Sequence, residues 1–329
     1  MPVGAGGASP HQAGTVGAEA AVGRTLSVAV VVGARRERVA RLLECLAQQT
    51  VAGSLELVLV DLQPSAGPIA PTSAIPIAVL AGPSLSYGAA RALAARTAHG
   101  EVVAYLEDHC YPDAAWAESL WAAFTRPWAA VGHAISNANP GRGASGLVHL
   151  ATYGQWQSPR RGSTTTLPGG NVAYRRELLL ALGERLPAML QADFNLHCWL
   201  RKNQLVMGIE PHARIQHESD ASLRNALRSS FVYSRVLAAD RARLGGWTPG
   251  RRRAWAAGNL GAAPLLRLVR LVKGVRADLR ELGSVAVSLP GILAILLVSA
   301  AGEALGYLAG EGDAIEQLTL WEVHAPRRR

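Results

Sequence analysis

Between Leu26 and Leu106 the chain alternates short apolar runs with stretches whose apolar residues recur at helical spacing, and that alternation narrows the fold more than any other feature. LSVAVVV (26–32), LELVLV (55–60) and VVAYL (102–106) each read as a buried strand, with Ile75–Leu80 as a weaker one. Val39, Leu42, Leu43 and Leu46 mark a helix over Arg35–Gln49, and the Ala-rich stretch Ser86–His99 marks a second, stopped by Gly100. Strand–helix alternation with short connections predicts a mostly parallel sheet covered by helices on both faces, its crossovers right-handed. Beyond it, Ala114–Phe124 reads as a helix with Pro112 near its start, Trp128–Ile135 as a strand and Asn137–Thr166 as loop. Val172–Tyr174 resumes as strand, residues 175–205 as helices broken near Pro187, and Met207–Gln216 as a last short strand.

Composition narrows the function classes. A chain of 329 residues, 49% hydrophobic, holds one large domain or a domain with an appendage. Cys45, Cys110 and Cys198 lie far apart with no CxxC spacing, which disfavours a disulfide framework or a zinc knuckle. The formal charge of +9, carried mostly by arginine, fits nucleic acid, anionic lipid or phosphorylated substrates without choosing among them. Residues 1–25 are rich in Ala and Gly and read as a disordered leader without the pattern of a secretory signal.

Four places carry chemistry. The strand at 102–106 ends in Glu107-Asp108-His109, two carboxylates and an imidazole at a sheet rim, where ligands of open α/β sheets bind. Such a cluster suits a divalent cation holding a diphosphate, and equally a solvated acidic turn. Asp61 ends the second strand and either accepts hydrogen bonds from a base or serves as a turn residue. The small-residue loop from Gly82 to Ser86 leads into a helix whose early turns carry Arg91, a phosphate partner or an exposed arginine. Asp193 stands near a helix start, either complementing the dipole or acting as a general base, and His217 is a structural histidine or a metal ligand.

In order, "SVAVVVGARRERVARLLECLAQQ", "LELVLVDLQPS", "GPSLSYGAARALAARTAHGEVVAYLEDH", "LPGGNVAYRRELL", "QADFNLHCWLR" and "EPHARIQH" resemble the segments of the inverting family-2 glycosyltransferases, over Leu26 to His217. The resemblance implies the GT-A fold, a nucleotide-diphosphate sugar donor and Mg²⁺ or Mn²⁺ as cofactor. By it, Asp61 contacts the base and Arg91 lies near the nucleotide or diphosphate. Glu107, Asp108, His109 and His217 hold the metal, the first two also contacting the donor. Gly169, Gly170 and Asn171 shape the sugar pocket, and Asp193 deprotonates the acceptor hydroxyl for a single inverting displacement. The chain departs from the family pattern at Leu62, Ala92, His109 and Ala192, and its first loop reads Val31-Val32-Gly33-Ala34.

Residues 221–329 read as a basic helical region appended to a catalytic domain over 26–220. Leu223–Arg243 is helical, and from Arg251 onward basic and apolar residues interleave as in a helix lying on an anionic membrane. VAVSLPGILAILLVSAA (285–301) is nearly continuous apolar sequence at the short end of a spanning length, interrupted by Pro290 and followed by Glu303. Spanning, interfacial and buried placements all remain open for it. Membrane contact fits a glycan or lipid-linked acceptor at the cytoplasmic face, in cell-envelope synthesis, with a soluble cytoplasmic protein as the other placement. Three rivals stand beside this. A silent nucleotide-sugar-binding relative is suggested by the departures. Nucleic-acid binding is disfavoured because Leu and Val, not aromatics, interleave the basic residues. Nucleotidyl transfer is disfavoured because Gly33-Ala34-Arg35-Arg36 is a poor Gly-rich, Lys-bearing loop.

Overall fold

The computed structural model describes residues 26–69, 75–139, 143–219, 222–276 and 279–324, so the leader expected over 1–25 lies outside the described residues. The first half runs β1 (Leu26–Val32), α1 (Arg36–Ala47), β2 (Leu55–Asp61), β3 (Ile77–Ala81), α2 (Tyr87–Thr97), β4 (Val102–Glu107), β5 (Cys110–Pro112) and α3 (Trp116–Ala123). The middle runs β6 (Ala130–Asn137), α4 (Ala144–Tyr153), β7 (Gly162–Thr164), β8 (Val172–Arg175), α5 (Arg176–Leu180), α6 (Leu186–Gln191), α7 (Asp193–Lys202) and β9 (Met207–His217). Four helices close the chain: α8 (Leu223–Leu244), α9 (Pro249–Val275), α10 (Leu279–Ala309) and α11 (Ala314–His324).

One sheet organises the body, in the order β3-β2-β1-β4-β8-β6-β9-β5, with β7 added on β9. The β3-β2-β1-β4 half is wholly parallel, as the alternation predicts. Strands β1, β2 and β4 are buried on both faces: Val28, Val30 and Val32 of β1 point into one core, Ala29 into the other. The second half is mixed, since β8 runs antiparallel to β4 and β6, and β5 antiparallel to β9. On one side of the sheet α1 buries Val39, Leu42, Leu43 and Leu46. Helix α2 begins at a cap in which Ser86 Oγ accepts from the Ala89 N–H. Its small side chains allow close approach to its neighbours, and a Cβ on Gly88 would fall 2.7 Å from the Gln191 nitrogen of α6.

Two features aim residues at one place. The chain leaves β1 toward β2 on one side and returns to β4 on the other, so the carboxyl ends of β1 and β4 form a topological switch point, where open α/β sheets bind ligands. Strand β9 is longer than expected. Its register against β6 jumps between His133 and Ala134, passing Pro211, His212 and Ala213 without partners on β6. Past the bulge it pairs with β5, setting His217 opposite Cys110 beside the end of β4.

The stretch expected to be loop over 137–166 contains α4. Gly143 precedes it without a side-chain cap, and Ser, Gly, Val and Thr within it are weak helix formers. Tertiary packing stabilises it instead: Val148 clusters with Ile295 of α10 and Ala226 of α8. The expected surface helix beyond Arg251 is one 27-residue element, α9, with Thr248 as its cap and Pro249 in its first turn. Among the described residues one helical stretch, Leu282–Ala309 with mean hydropathy 2.2, is long and apolar enough to cross a membrane.

Candidate active site

The cleft at the switch point is lined by Val31, Val32 and Gly33 from the end of β1, Leu62 after β2, Tyr87 at the start of α2, and Glu107 and Asp108 at the end of β4. The Gly33 N–H donates to Asp108 Oδ2 at 3.3 Å, tying the two strand ends together.

Beside the cleft, one ligand atom each from Glu107, His109 and His217 lie within 4.8 Å of one another. His217 Nε2 is 3.2 Å and His109 Nε2 4.0 Å from Glu107 Oε2. Each imidazole is held through its other nitrogen, His109 Nδ1 at 3.0 Å from Asp108 Oδ1 and His217 Nδ1 at 3.2 Å from Ser219 Oγ. Asp108, expected among the ligands, thus uses its oxygens on Gly33 and His109, orienting a ligand from behind. Burial resists ionisation of Glu107, but the hydrogen bond and charge of His217, with His109 and Asn171, outweigh it and hold the carboxyl down to about 2. Burial also works against a charged His109, yet Asp108 and Glu107 raise its pKa, whereas burial wins at His217 and lowers it.

The Gly169-Gly170-Asn171 turn joins this cluster to Asp193. Asn171 Nδ2 donates to Glu107 Oε2 at 2.6 Å, and its Oδ1 accepts from the Glu107 N–H at 3.1 Å. The Gly170 N–H donates to Asp193 Oδ2 at 2.7 Å. Gly170 has φ of +81°, and a Cβ there would fall 2.5 Å from Glu107 Oε1, so conformation and space both call for glycine. Gly169 faces the Tyr233 hydroxyl of α8.

Asp193 opens α7 and is buried with its carboxylate ion-paired to Arg91. Arg91, expected beside the diphosphate, lies against Asp193 and also donates from Nη1 to the Leu190 carbonyl at 2.9 Å. Its guanidinium lies 4.2 Å from the Tyr105 ring centre, while Nε and Nη2 are buried without hydrogen-bond partners among the described residues. Asp61 sits at the end of β2 in a two-pronged pair with Arg36, at 3.1 and 2.8 Å, and accepts from the Gln63 N–H at 2.9 Å. The Arg36 fork also donates to the carbonyls of Gly33 and Gln63.

The structure therefore gathers Glu107, Asp108, His109, His217, Gly170, Asn171 and Asp193 into one connected arrangement, with Arg91 beneath Asp193 and Asp61 at the neighbouring strand end. Sequence reasoning missed three participants. Tyr153 of α4 donates its hydroxyl to Glu107 Oε2 at 3.3 Å, and its ring packs 4.5 Å from that of His217. Tyr233 belongs to α8, and burial followed by the Asp193 charge pushes its phenol pKa up. Arg36 stood in the Gly33–Arg36 stretch, weighed only as a poor match to the Gly-rich, Lys-bearing loop of a nucleotidyltransferase. No local pattern marks either tyrosine; for Arg36 the available signal was an arginine at the start of α1 facing a carboxylate at the tip of β2.

One carboxylate and two imidazoles within reach of a single point suit a divalent transition cation. The buried carboxylate of Asp193, joined to Glu107 through the adjacent residues Gly170 and Asn171, could accept a proton from an alcohol. Residues 27–183 match the family model described as Glycosyl transferase family 2. No curated protein matches the chain. Among solved structures the chain is similar to the mannosyltransferase PcManGT from Pyrobaculum calidifontis in complex with GDP-Man and Mn²⁺, with TM-score 0.50 and 17% identity over 86% of this chain and 88% of that one. It is also similar to S. aureus TarS 1–349, with TM-score 0.44 and 14% identity over 89% and 92% of the two chains. With GalNAc-T7 bound to UDP, GalNAc and Mn²⁺ it shares TM-score 0.45 and 18% identity over 65% of this chain, spanning only 47% of that one.

Proposed function

We propose that this chain, which carries a glycosyl transferase family 2 domain over residues 27–183, moves a sugar from a nucleotide diphosphate to an acceptor hydroxyl with inversion. The observation that carries the reading is the Gly170–Asn171 link, which holds Glu107 of the cation-ready cluster and Asp193 through adjacent residues. The donor lies along the cleft between Gly33, Leu62, Tyr87 and Asp108, its diphosphate toward Glu107. Glu107, His109 and His217 would hold the cation, and two nitrogen ligands fit Mn²⁺ better than Mg²⁺, which prefers an all-oxygen octahedron. A bound cation stabilises charge building on the leaving diphosphate. Asp193, fixed by Arg91 and by the Gly170 N–H, takes the acceptor proton as the hydroxyl attacks from the face opposite the leaving group. The basic, partly apolar C-terminal helices support a lipid-linked glycan as acceptor, at the cytoplasmic face of a membrane, in cell-envelope synthesis.

A donor-binding but inactive relative is the second reading. The commitment of Asp193 to Arg91 favours it, because a carboxylate already engaged by a buried guanidinium is less free to meet an acceptor hydroxyl. One experiment separates the two. The protein is melted with a panel of nucleotide-diphosphate sugars, with and without Mn²⁺, and nucleotide diphosphate release is followed with the stabilising donor. Transfer predicts Mn²⁺-dependent stabilisation, about 2.7 kcal/mol at a hundredfold excess over Kd, and release that Asp193→Asn abolishes without loss of donor binding. Stabilisation without turnover supports the inactive relative; no Mn²⁺-dependent stabilisation by any donor sinks both.

A further inference from the structure

The outward side of α9 combines exposed apolar residues with cations. Between Arg253 and Arg267 the helix carries no charge, and from Pro249 to Val275 it carries no Asp or Glu. Trp255, Leu265, Leu266 and Val269 are exposed at 46%, 63%, 55% and 40%. With Gly258 and Ala262 they recur at three- and four-residue steps and so share one side of the helix. Continuing the same steps outward brings Arg251 to one end of the stripe and Lys273 and Arg276 to the other, all exposed. An exposed apolar stripe about 20 Å long with cations at both ends on the same side is a surface for partial immersion, apolar middle down and charged ends at headgroup level.

We propose that this side of α9 docks on an anionic lipid surface, with the helix parallel to the membrane plane. This deepens the membrane-facing reading above by naming the surface that makes contact, and it holds whether or not the donor is turned over. Charge complementarity selects the occupant. Two copies of the chain meeting stripe to stripe about a twofold axis would oppose cations to cations, whereas anionic headgroups neutralise them. Helix α10 is more apolar and also exposes Val287, Leu297 and Leu308, but its other sides are engaged within the protein. Gly302 and Gly306 abut the backbone of α8 at Phe231 and Arg235, Gly291 meets Leu147 of α4, and Glu303 is buried in ion pairs with Arg267 and Arg241. Crossing a bilayer, α10 would drag α8 with its exposed Arg224 and Arg228 into hydrocarbon. The buried side of α9 faces the site region: Leu271 packs against Gly154, the neighbour of Tyr153, which bonds Glu107.

The test is flotation of the full chain with phosphatidylcholine vesicles, with and without phosphatidylglycerol. The proposal expects the protein to float with the anionic vesicles only and to be released by high salt or alkaline carbonate. Arg251→Gln with Lys273→Gln should weaken binding roughly 25-fold, about fivefold per cation removed. Leu265→Asp with Leu266→Asp, both on exposed positions, should abolish flotation while leaving the melting profile unchanged. Three outcomes overturn the proposal. These are no flotation with anionic vesicles, unchanged flotation of the double Asp variant, or resistance to carbonate extraction, which would mark an integral segment. A wild-type dimer that the double Asp variant converts to monomer would overturn it as well, by assigning the stripe to a second copy.

Discussion

The pairing of Arg91 with Asp193 makes a quantitative prediction, because both groups are almost wholly withdrawn from water, with side chains 3% and 1% exposed. Removing one member of a buried pair leaves an uncompensated charge and costs about 3–5 kcal/mol, whereas removing both charges is often close to neutral. Arg91→Met should therefore destabilise the protein by about 3–5 kcal/mol, leaving the Asp193 carboxylate with the Gly170 N–H alone. Asp193→Asn keeps an acceptor for Gly170 but strands a guanidinium whose Nε and Nη2 already lack hydrogen-bond partners among the described residues, so a loss of similar size is expected. The double variant should be no less stable than either single one, a coupling of at least about 3 kcal/mol. Urea denaturation at pH 7 of wild type, both singles and the double, with a common m-value, measures the cycle. Turnover gives an independent reading: Asp193→Asn, alone or in the double, should lose about 10²–10⁴ in kcat if Asp193 is the base. Losses that simply add in the double variant would show that the two groups are not partners, and the account of how Asp193 is held would fall.

Three further predictions concern single contacts. Gly170→Ala sets a side chain at positive φ, costing about 1–2 kcal/mol, and drives its Cβ against Glu107; calorimetric Mn²⁺ affinity should fall at least about tenfold. Gly183→Ala, also at positive φ (+52°) but with open space around it, should show the backbone cost alone. Asp108→Asn leaves His109 without its anionic partner, and the same titration should show Mn²⁺ affinity falling by about 10- to 100-fold with the fold intact. His133 is wholly buried with neither ring nitrogen hydrogen-bonded among the described residues, and burial lowers its pKa to about 3. A histidine whose pKa is depressed in the folded state contributes fully above the unfolded value near 6.5 and costs stability as pH falls below it, because the unfolded chain takes the proton first. Between pH 7 and 4.5 wild type should lose about 2.5 kcal/mol more than His133→Leu, read as the difference in their urea-derived stabilities; equal losses would place His133 in contact with water or a partner.

The parts of this molecule that the sequence exposes are those where local chemistry and global position coincide. Strands β1, β2 and β4 are legible because burial on both faces leaves continuous aliphatic runs, and Glu107-Asp108-His109 is legible because charge at the end of such a run can only stand at a sheet rim. Gly170 is legible as punctuation, although its reason, a backbone amide on Asp193 and no room beside Glu107, is a three-dimensional one. What escapes is whatever depends on long-range packing. Helix α4 has neither propensity nor cap, forms against α8 and α10, and brings Tyr153 to Glu107 with it. The place of Arg91 escapes for a related reason. A guanidinium near a helix start suits a diphosphate on local grounds, but the packing of α2 on α6 puts Asp193 within its reach, and in a site closed to water the nearest anion holds it. The same logic joins the C-terminal helices to the chemistry: the α7 side chain of Asn195 donates to the Leu237 carbonyl of α8 at 3.3 Å, and Tyr233 one turn earlier on α8 faces Gly169. The helix that follows β9 thus forms one wall of the site, with α10 packed behind it and on α4, and α9 packed on α10 and on the turn that follows α4.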